Sequence, residues 1–124
     1  MTSFAHDEDQ LGPVPSEVSE TYDLFQPGRE HLRAGRPSQA VVSLEKARRR
    51  EPEKASIREA LGIAYFRVRR WADAETEFRK LVELSPVDPF ALRALARTLD
   101  RLGRPDDAAQ HHALARILDP AQRD

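Results

Sequence analysis

An all-α solenoid of three helical hairpins is the fold this sequence predicts, and three observations predict it. The chain repeats itself every 34 residues: "GRPSQA" at Gly35–Ala40 returns as "GRPDDA" at Gly103–Ala108, with "RRWADA" at Arg69–Ala74 midway. Within each period, apolar residues fall at helical spacing on both sides of a short break. The composition agrees: Ala, Leu, Arg and Glu, all good helix formers, are abundant, and runs of β-branched residues are missing.

Three copies align without a gap, over 21–54, 55–88 and 89–120, between an acidic segment at 1–20 and a short end at 121–124. The first helix of copy one contains Pro27 where its counterparts are Leu61 and Leu95. Proline removes a backbone bond and crowds the preceding turn, so this helix is expected to be short or kinked. Gly35 then suits a helix C-terminus, and Pro37 a first helical position, opening a second helix with Ala40, Leu44 and Ala47 on one side. In copy two, "ASIREALGIAYFRVR" places Ile57, Leu61, Ala64, Tyr65 and Val68 together. The break falls at Arg69-Arg70, and "WADAETEFRKLVEL" follows with Ala74, Phe78, Leu81 and Val82. In copy three, Asp88 reads as an N-cap before Pro89. Gly103 and Pro105 repeat the corner, and Asp106 and Asp107 stand in a first turn, where they complement the helix dipole. Pro52, Pro86 and Pro120 close the copies. Small residues recur at Gly28, Gly62 and Ala96 and at Ala40, Ala74 and Ala108. Antiparallel helices approach closely only where side chains are small, so Gly62 is expected against Ala74, with Tyr65 and Phe78 beside them.

The net charge of −1 is unevenly spread: residues 1–20 carry −5 and no Lys or Arg, and the remainder carries 20 basic against 16 acidic residues. The acidic segment holds Phe4, Leu11 and Val14 with Pro13 and Pro15, and is expected to be disordered or extended when free. With no cysteine, disulfides, thiolate metal sites and thiol nucleophiles are excluded. Nothing at the start resembles a signal peptide, and no apolar run could span a bilayer, so a cytoplasmic location without membrane contact is expected. Arginine supplies 17 of the 20 basic residues, which points to a GC-rich, bacterial genome. There is no glycine-rich phosphate loop, nucleophile elbow or HExxH, so no catalytic, cofactor-binding or metal-binding residues are expected, and the chain is not expected to be an enzyme. His31 takes the slot of Tyr65 and reads as a packing or hydrogen-bonded residue. His111 and His112 are neighbours, roughly 100° apart on a helix, and are badly placed to share a metal. Arg48-Arg49-Arg50 ends a helix ahead of Glu51 and Glu53, and reads as a solvated helix end rather than a nucleic-acid patch.

A 34-residue helix–turn–helix unit carrying Leu61-Gly62, Tyr65, Ala74, Phe78 and Pro86 resembles the tetratricopeptide repeat family, over residues 21–120. Pentatricopeptide RNA binders have a similar architecture, but their repeats are normally one residue longer. The resemblance implies a right-handed superhelical solenoid whose first helices line a concave, peptide-binding groove. Carried onto this sequence, the groove residues are Arg29, Arg33, Ile63, Phe66, Arg67, Phe90, Arg93, Arg97 and Arg101, with Glu59 and Asp100 as its acids. Arginine forks bind carboxylates bidentately, so the implied partner is a protein or peptide with acidic and apolar residues. The implied role is a non-enzymatic interaction module, an adaptor or assembly factor. Chaperone-binding members hold a C-terminal carboxylate with a lysine–asparagine clamp. Here Phe25, Arg29, Ala60, Phe90 and Ala94 stand in those places and the chain has no asparagine, so a chaperone tail of that type is not expected. Three alternatives stay open. The arginines could simply solvate the helices. The acidic segment could lie in the groove and compete with partners. The chain also stops without the polar helix that usually caps a solenoid. Leu114, Ile117 and Leu118 could then dock a partner or a second copy, making the protein an accessory or regulatory subunit, or a homodimer.

Overall fold

The computed structural model describes residues 25–119 and residue 121. Helix α1 covers residues 25–33. It is followed by α2 (Pro37–Arg50), α3 (Ala55–Arg67), α4 (Trp71–Leu84), α5 (Pro89–Arg101) and α6 (Pro105–Leu118). No strand occurs among the described residues. From α2 to α6 successive helices pack on one another, the layout of an all-α helical repeat solenoid. Pro27 is the third residue of the described part of α1. Tyr22, Pro120 and the acidic segment lie outside the described residues.

The three corners share one backbone solution. Arg36, Arg70 and Arg104 donate their N–H groups to the carbonyls of His31, Tyr65 and Leu99, at 2.8, 2.9 and 2.9 Å. Gly35, Arg69 and Gly103 donate to Leu32, Phe66 and Asp100, at 3.1, 3.1 and 3.0 Å. This paired pattern closes a helix with one residue in the left-handed conformation. Gly35 and Gly103 meet that demand at φ 76°, and Arg69 meets it at φ 66° with a side chain attached. Pro37, Pro89 and Pro105 each open a helix, where the missing N–H leaves no bond unmade. Asp88 accepts from the Phe90 N–H at 3.0 Å, as an N-cap should. Helices α2 and α4 stop two residues before Pro52 and Pro86.

One continuous core runs between the layers, through Leu44, Leu61, Tyr65, Phe78, Leu81, Leu95 and Leu99. Within it, the atoms nearest a Cβ built on Gly62 belong to the ring of Phe78, at 2.5 Å, so the small residue makes room for Phe78, one of the large side chains expected beside it. Gly28 serves Leu44 in the same way, at 2.6 Å. The third unit has Ala96 in this slot and His112 opposite. His112 reaches out to Asp100 (3.1 Å), so the methyl group of Ala96 is accommodated.

The core also holds a carboxylate. Glu77 on α4 is 1 % exposed and is gripped by Arg48 of α2 and, at 2.9 Å, by Arg58 of α3. Arg48 is therefore not part of a solvated helix end. It crosses from one unit to the next because a buried carboxylate needs paired positive charge. Arg104 repeats the device at the next junction, reaching Glu75 at 3.0 Å. None of the described helices is long and apolar enough to cross a membrane.

Candidate peptide-binding groove

The first helices of the units, α1, α3 and α5, present two adjoining pockets that share Ile63. The larger, about 460 Å³, is lined by Ile63, Phe66, Arg67, Phe78, Phe90, Arg93, Ala94 and Arg97. The smaller, about 350 Å³, is lined by Phe25, Arg29, Leu32, Arg33, Ser56, Glu59, Ala60 and Ile63. Helical geometry explains the lining: Ile63, Phe66 and Arg67 are three and four residues apart on α3, and Phe90, Arg93, Ala94 and Arg97 repeat that spacing on α5. Apolar and arginine side chains line both pockets, and Glu59 adds an acid to the smaller one. Phe78, which reaches the larger pocket from α4, was not among the positions expected from the sequence. It enters because Gly62 leaves space for its ring.

Of the nine groove positions expected, eight line these two pockets. Arg101 lines neither, but stacks at the rim. Its guanidinium lies 5.9 Å from the Phe66 ring centre and 5.3 Å from that of Trp71. Phe66 and Trp71 meet edge to face at 4.8 Å. The Arg97 guanidinium also lies 5.9 Å from the Phe66 ring centre.

The arginines divide into two sets. Arg33 pairs with Glu30 (3.0 Å), Arg93 with Asp119 (3.5 Å), and Arg67 donates to the Leu32 carbonyl (3.0 Å), capping the end of α1. Arg29 lies over Phe25 and faces the Glu59 carboxylate across the smaller pocket, whereas Arg97 and Arg101 have aromatic neighbours but no carboxylate partner among the described residues. A sequence cannot separate these sets, because the partners lie as far off as 26 and 35 residues. Glu59 stands at the opposite end of the groove. Burial, and then the negative charge of Asp88, push its carboxyl pKa up against the pull of Arg29.

Among the described residues no three His, Cys, Asp or Glu side chains converge on a metal-sized site. His31 accepts from Arg36 (3.3 Å), His112 contacts Asp100, and His111 contacts the Asp107 carbonyl (2.9 Å).

Of the remaining expected residues, Leu114, Ile117 and Leu118 are 43 %, 65 % and 36 % exposed. The register puts them in the slots of Lys46, Arg49 and Arg50 and of Lys80, Glu83 and Leu84. That is the outer edge of the second helix, where Lys80 pairs with Glu53 and Glu83. The side that bears on a following unit is marked in α4 by Glu75 and Val82, and in α6 the matching residues are Ala109 and Arg116.

The family model for the tetratricopeptide repeat matches residues 26–89 and again 60–122. The chain is a tetratricopeptide repeat protein. As such it is 34 % identical over 104 residues to cellulose synthase operon protein C of Pseudomonas fluorescens (strain SBW25), covering 82 % of this chain and 8 % of that protein. It is also 34 % identical over 87 residues to superkiller complex protein 3 of Mus musculus, covering 70 % of this chain and 6 % of that one. This tetratricopeptide repeat protein thus spans less than a tenth of the length of these curated relatives. Its fold matches the crystal structure of MamA with a TM-score of 0.81 at 21 % identity, over 88 % of this chain and 64 % of that one. It matches the first TPR of Spaghetti (RPAP3), bound to HSP90 peptide SRMEEVD, with a TM-score of 0.78 at 19 % identity, over 85 % and 83 % of the two chains. At those identities the likeness is one of fold.

Proposed function

We propose that this protein is a non-enzymatic adaptor that binds a peptide or partner segment combining acidic and apolar residues, laid across α1, α3 and α5. The observation that carries this reading is the pairing of two adjoining pockets lined by apolar side chains with two arginines, Arg97 and Arg101, that have no acidic partner among the described residues. An apolar side chain gains by leaving water for such a lining. A carboxylate gains charge-assisted hydrogen bonds from a guanidinium fork. The solved TPR of Spaghetti (RPAP3) holds the peptide SRMEEVD, which mixes apolar and acidic residues and supports a ligand of this general class. The missing asparagines argue against the same mode of holding it.

Calorimetric titration with a panel of blocked peptides, acidic–apolar, basic–apolar and acidic without apolar residues, tests the reading. Only the acidic–apolar set is expected to bind. Binding is expected to weaken with added salt, because the Debye length falls to roughly 10 Å at 0.1 M, and to be lost in Arg97→Glu. Equal binding of the basic set would overturn it.

A second reading, docking of a partner or a second copy on α6, is favoured by the exposure of Leu114, Ile117 and Leu118. Sedimentation of wild type beside Leu114→Asp/Ile117→Asp tests self-association: a dimer lost in the variant supports this reading, and a wild-type monomer removes the homodimer.

A further inference from the structure

We propose that Arg97 and Arg101, stacked on Phe66 and Trp71, form an anion subsite at one end of the groove that receives two adjacent carboxylates of the bound peptide. The proposal rests on the groove reading above and adds which arginines meet the ligand, and in what order its residues run.

Arg97 and Arg101 are four residues apart on α5 and so share a face. Like charges at that spacing repel each other, and the arrangement persists here without an acid to relieve it among the described residues. Asp100, the nearest acid in sequence, is engaged by His112 on α6 at 3.1 Å. What holds the two guanidiniums instead is aromatic. Both lie 5.9 Å from the Phe66 ring centre, and Arg101 lies 5.3 Å from that of Trp71, which is braced edge to face against Phe66. An aromatic neighbour restrains a guanidinium without neutralising it. The result is a pair of restrained, unneutralised cations, which is what a carboxylate pair fits.

The subsite adjoins the larger pocket, since Phe66 and Arg97 also line that pocket with Ile63, Phe78 and Phe90. A peptide whose apolar side chain sits there delivers its neighbouring residues to Arg97 and Arg101. The motif read is therefore one apolar residue flanked directly by two acids. At the other end of the groove Arg33 is paired with Glu30 and Arg29 already faces Glu59, whose negative charge disfavours placing the acids there.

Trp71 is the chain's sole tryptophan, so its emission reports on this subsite directly. The probe is the blocked peptide Gly-Phe-Glu-Glu-Gly, with Gly-Phe-Gln-Gln-Gly as its neutral counterpart. The glutamate peptide is expected to shift Trp71 emission saturably and to bind about tenfold or more tightly than the glutamine peptide, a difference that should vanish in Arg97→Gln/Arg101→Gln. Both substituted side chains are exposed, and an unchanged circular dichroism spectrum verifies the fold. Equal binding of the two peptides to wild type, unchanged binding in the double variant, or silent Trp71 emission overturns the proposal. Phe90→Ala separates the two readings. Peptide binding lost in Phe90→Ala but kept in the arginine variant leaves the groove standing and removes the subsite. Binding lost in the arginine variant but kept in Phe90→Ala retains the subsite and removes the apolar groove.

Discussion

Tyr65, Glu77 and Glu59 are three ionisable side chains whose surroundings determine what they do. The Tyr65 phenol donates to Glu45, and burial first, then that carboxylate, pushes its pKa up from 10.0 to about 12. The folded chain thus holds this proton more tightly than the unfolded one. Its contribution to stability is intact below about pH 10 and is lost as the pH rises toward 12. Ultraviolet titration should show one of the chain's two tyrosines ionising late, and Tyr65→Phe should remove that step at a cost of about 1 kcal/mol in urea unfolding. Glu77 is a harsher case. Glu77→Ala leaves Arg48 and Arg58 facing each other without their shared anion, which should cost about 2–4 kcal/mol, measured by thermal unfolding. Nothing in the sequence marks Glu77: its slot holds Ser43 and His111 in the other units, and its partners lie 29 and 19 residues away. For Glu59 the raised pKa means that charge in this part of the groove is already disfavoured, and an acidic ligand adds to the strain. Glu59→Gln should therefore tighten acidic-peptide binding by about twofold to fivefold, roughly 0.4–1 kcal/mol, by calorimetry.

Among the elements, the corners and the α3–α4 contact set the geometry. Arg69 holds a left-handed conformation that costs an ordinary residue about 1–2 kcal/mol, while the matching residues are Gly35 and Gly103. Arg69→Gly gives back part of this gain through the greater freedom of glycine in the unfolded chain, so a net stabilisation of about 0.5–1 kcal/mol is expected from urea unfolding. Gly62→Ala runs the other way. Alanine improves helix propensity by up to about 1 kcal/mol, but its Cβ would fall 2.5 Å from the buried Phe78 ring, an overpacking that costs about 1–3 kcal/mol. Net destabilisation is expected, and a stabilised Gly62→Ala would mean that Phe78 is free to move. These elements were largely legible beforehand. The "GRP" corners announce themselves, and the fixed period located the Arg69 corner although its glycine is missing. The sequence placed Ala74, Tyr65 and Phe78 around Gly62, but spacing along one helix does not say that the Phe78 ring comes nearest.

At the scale of the molecule, three hairpins become one body because each junction carries both apolar and ionic contacts. Arg48 and Arg58 bind α4 to α2 and α3 through Glu77, and Arg104 ties the last corner to Glu75. Stability in such an array resides in neighbouring interfaces, so damage at Glu77 should loosen the first and second units together. The groove is a product of the same stacking. The positions proposed for it came from the family resemblance, and the arginines that pair across units, such as Arg93 with Asp119, could not be told from the unpaired ones, because such pairs depend on the packed structure. In the proposed groove, Arg97 and Arg101 are the cations without an acid, while Arg29 at the other end faces Glu59.

Amide chemical-shift mapping of the whole chain, titrated with the blocked Gly-Phe-Glu-Glu-Gly peptide, tests the central claim most directly. Shifts concentrated on the groove faces of α1, α3 and α5, together with the Trp71 indole, are the predicted result. Shifts concentrated instead around Leu114, Ile117 and Leu118 on α6, with the groove silent, would contradict it.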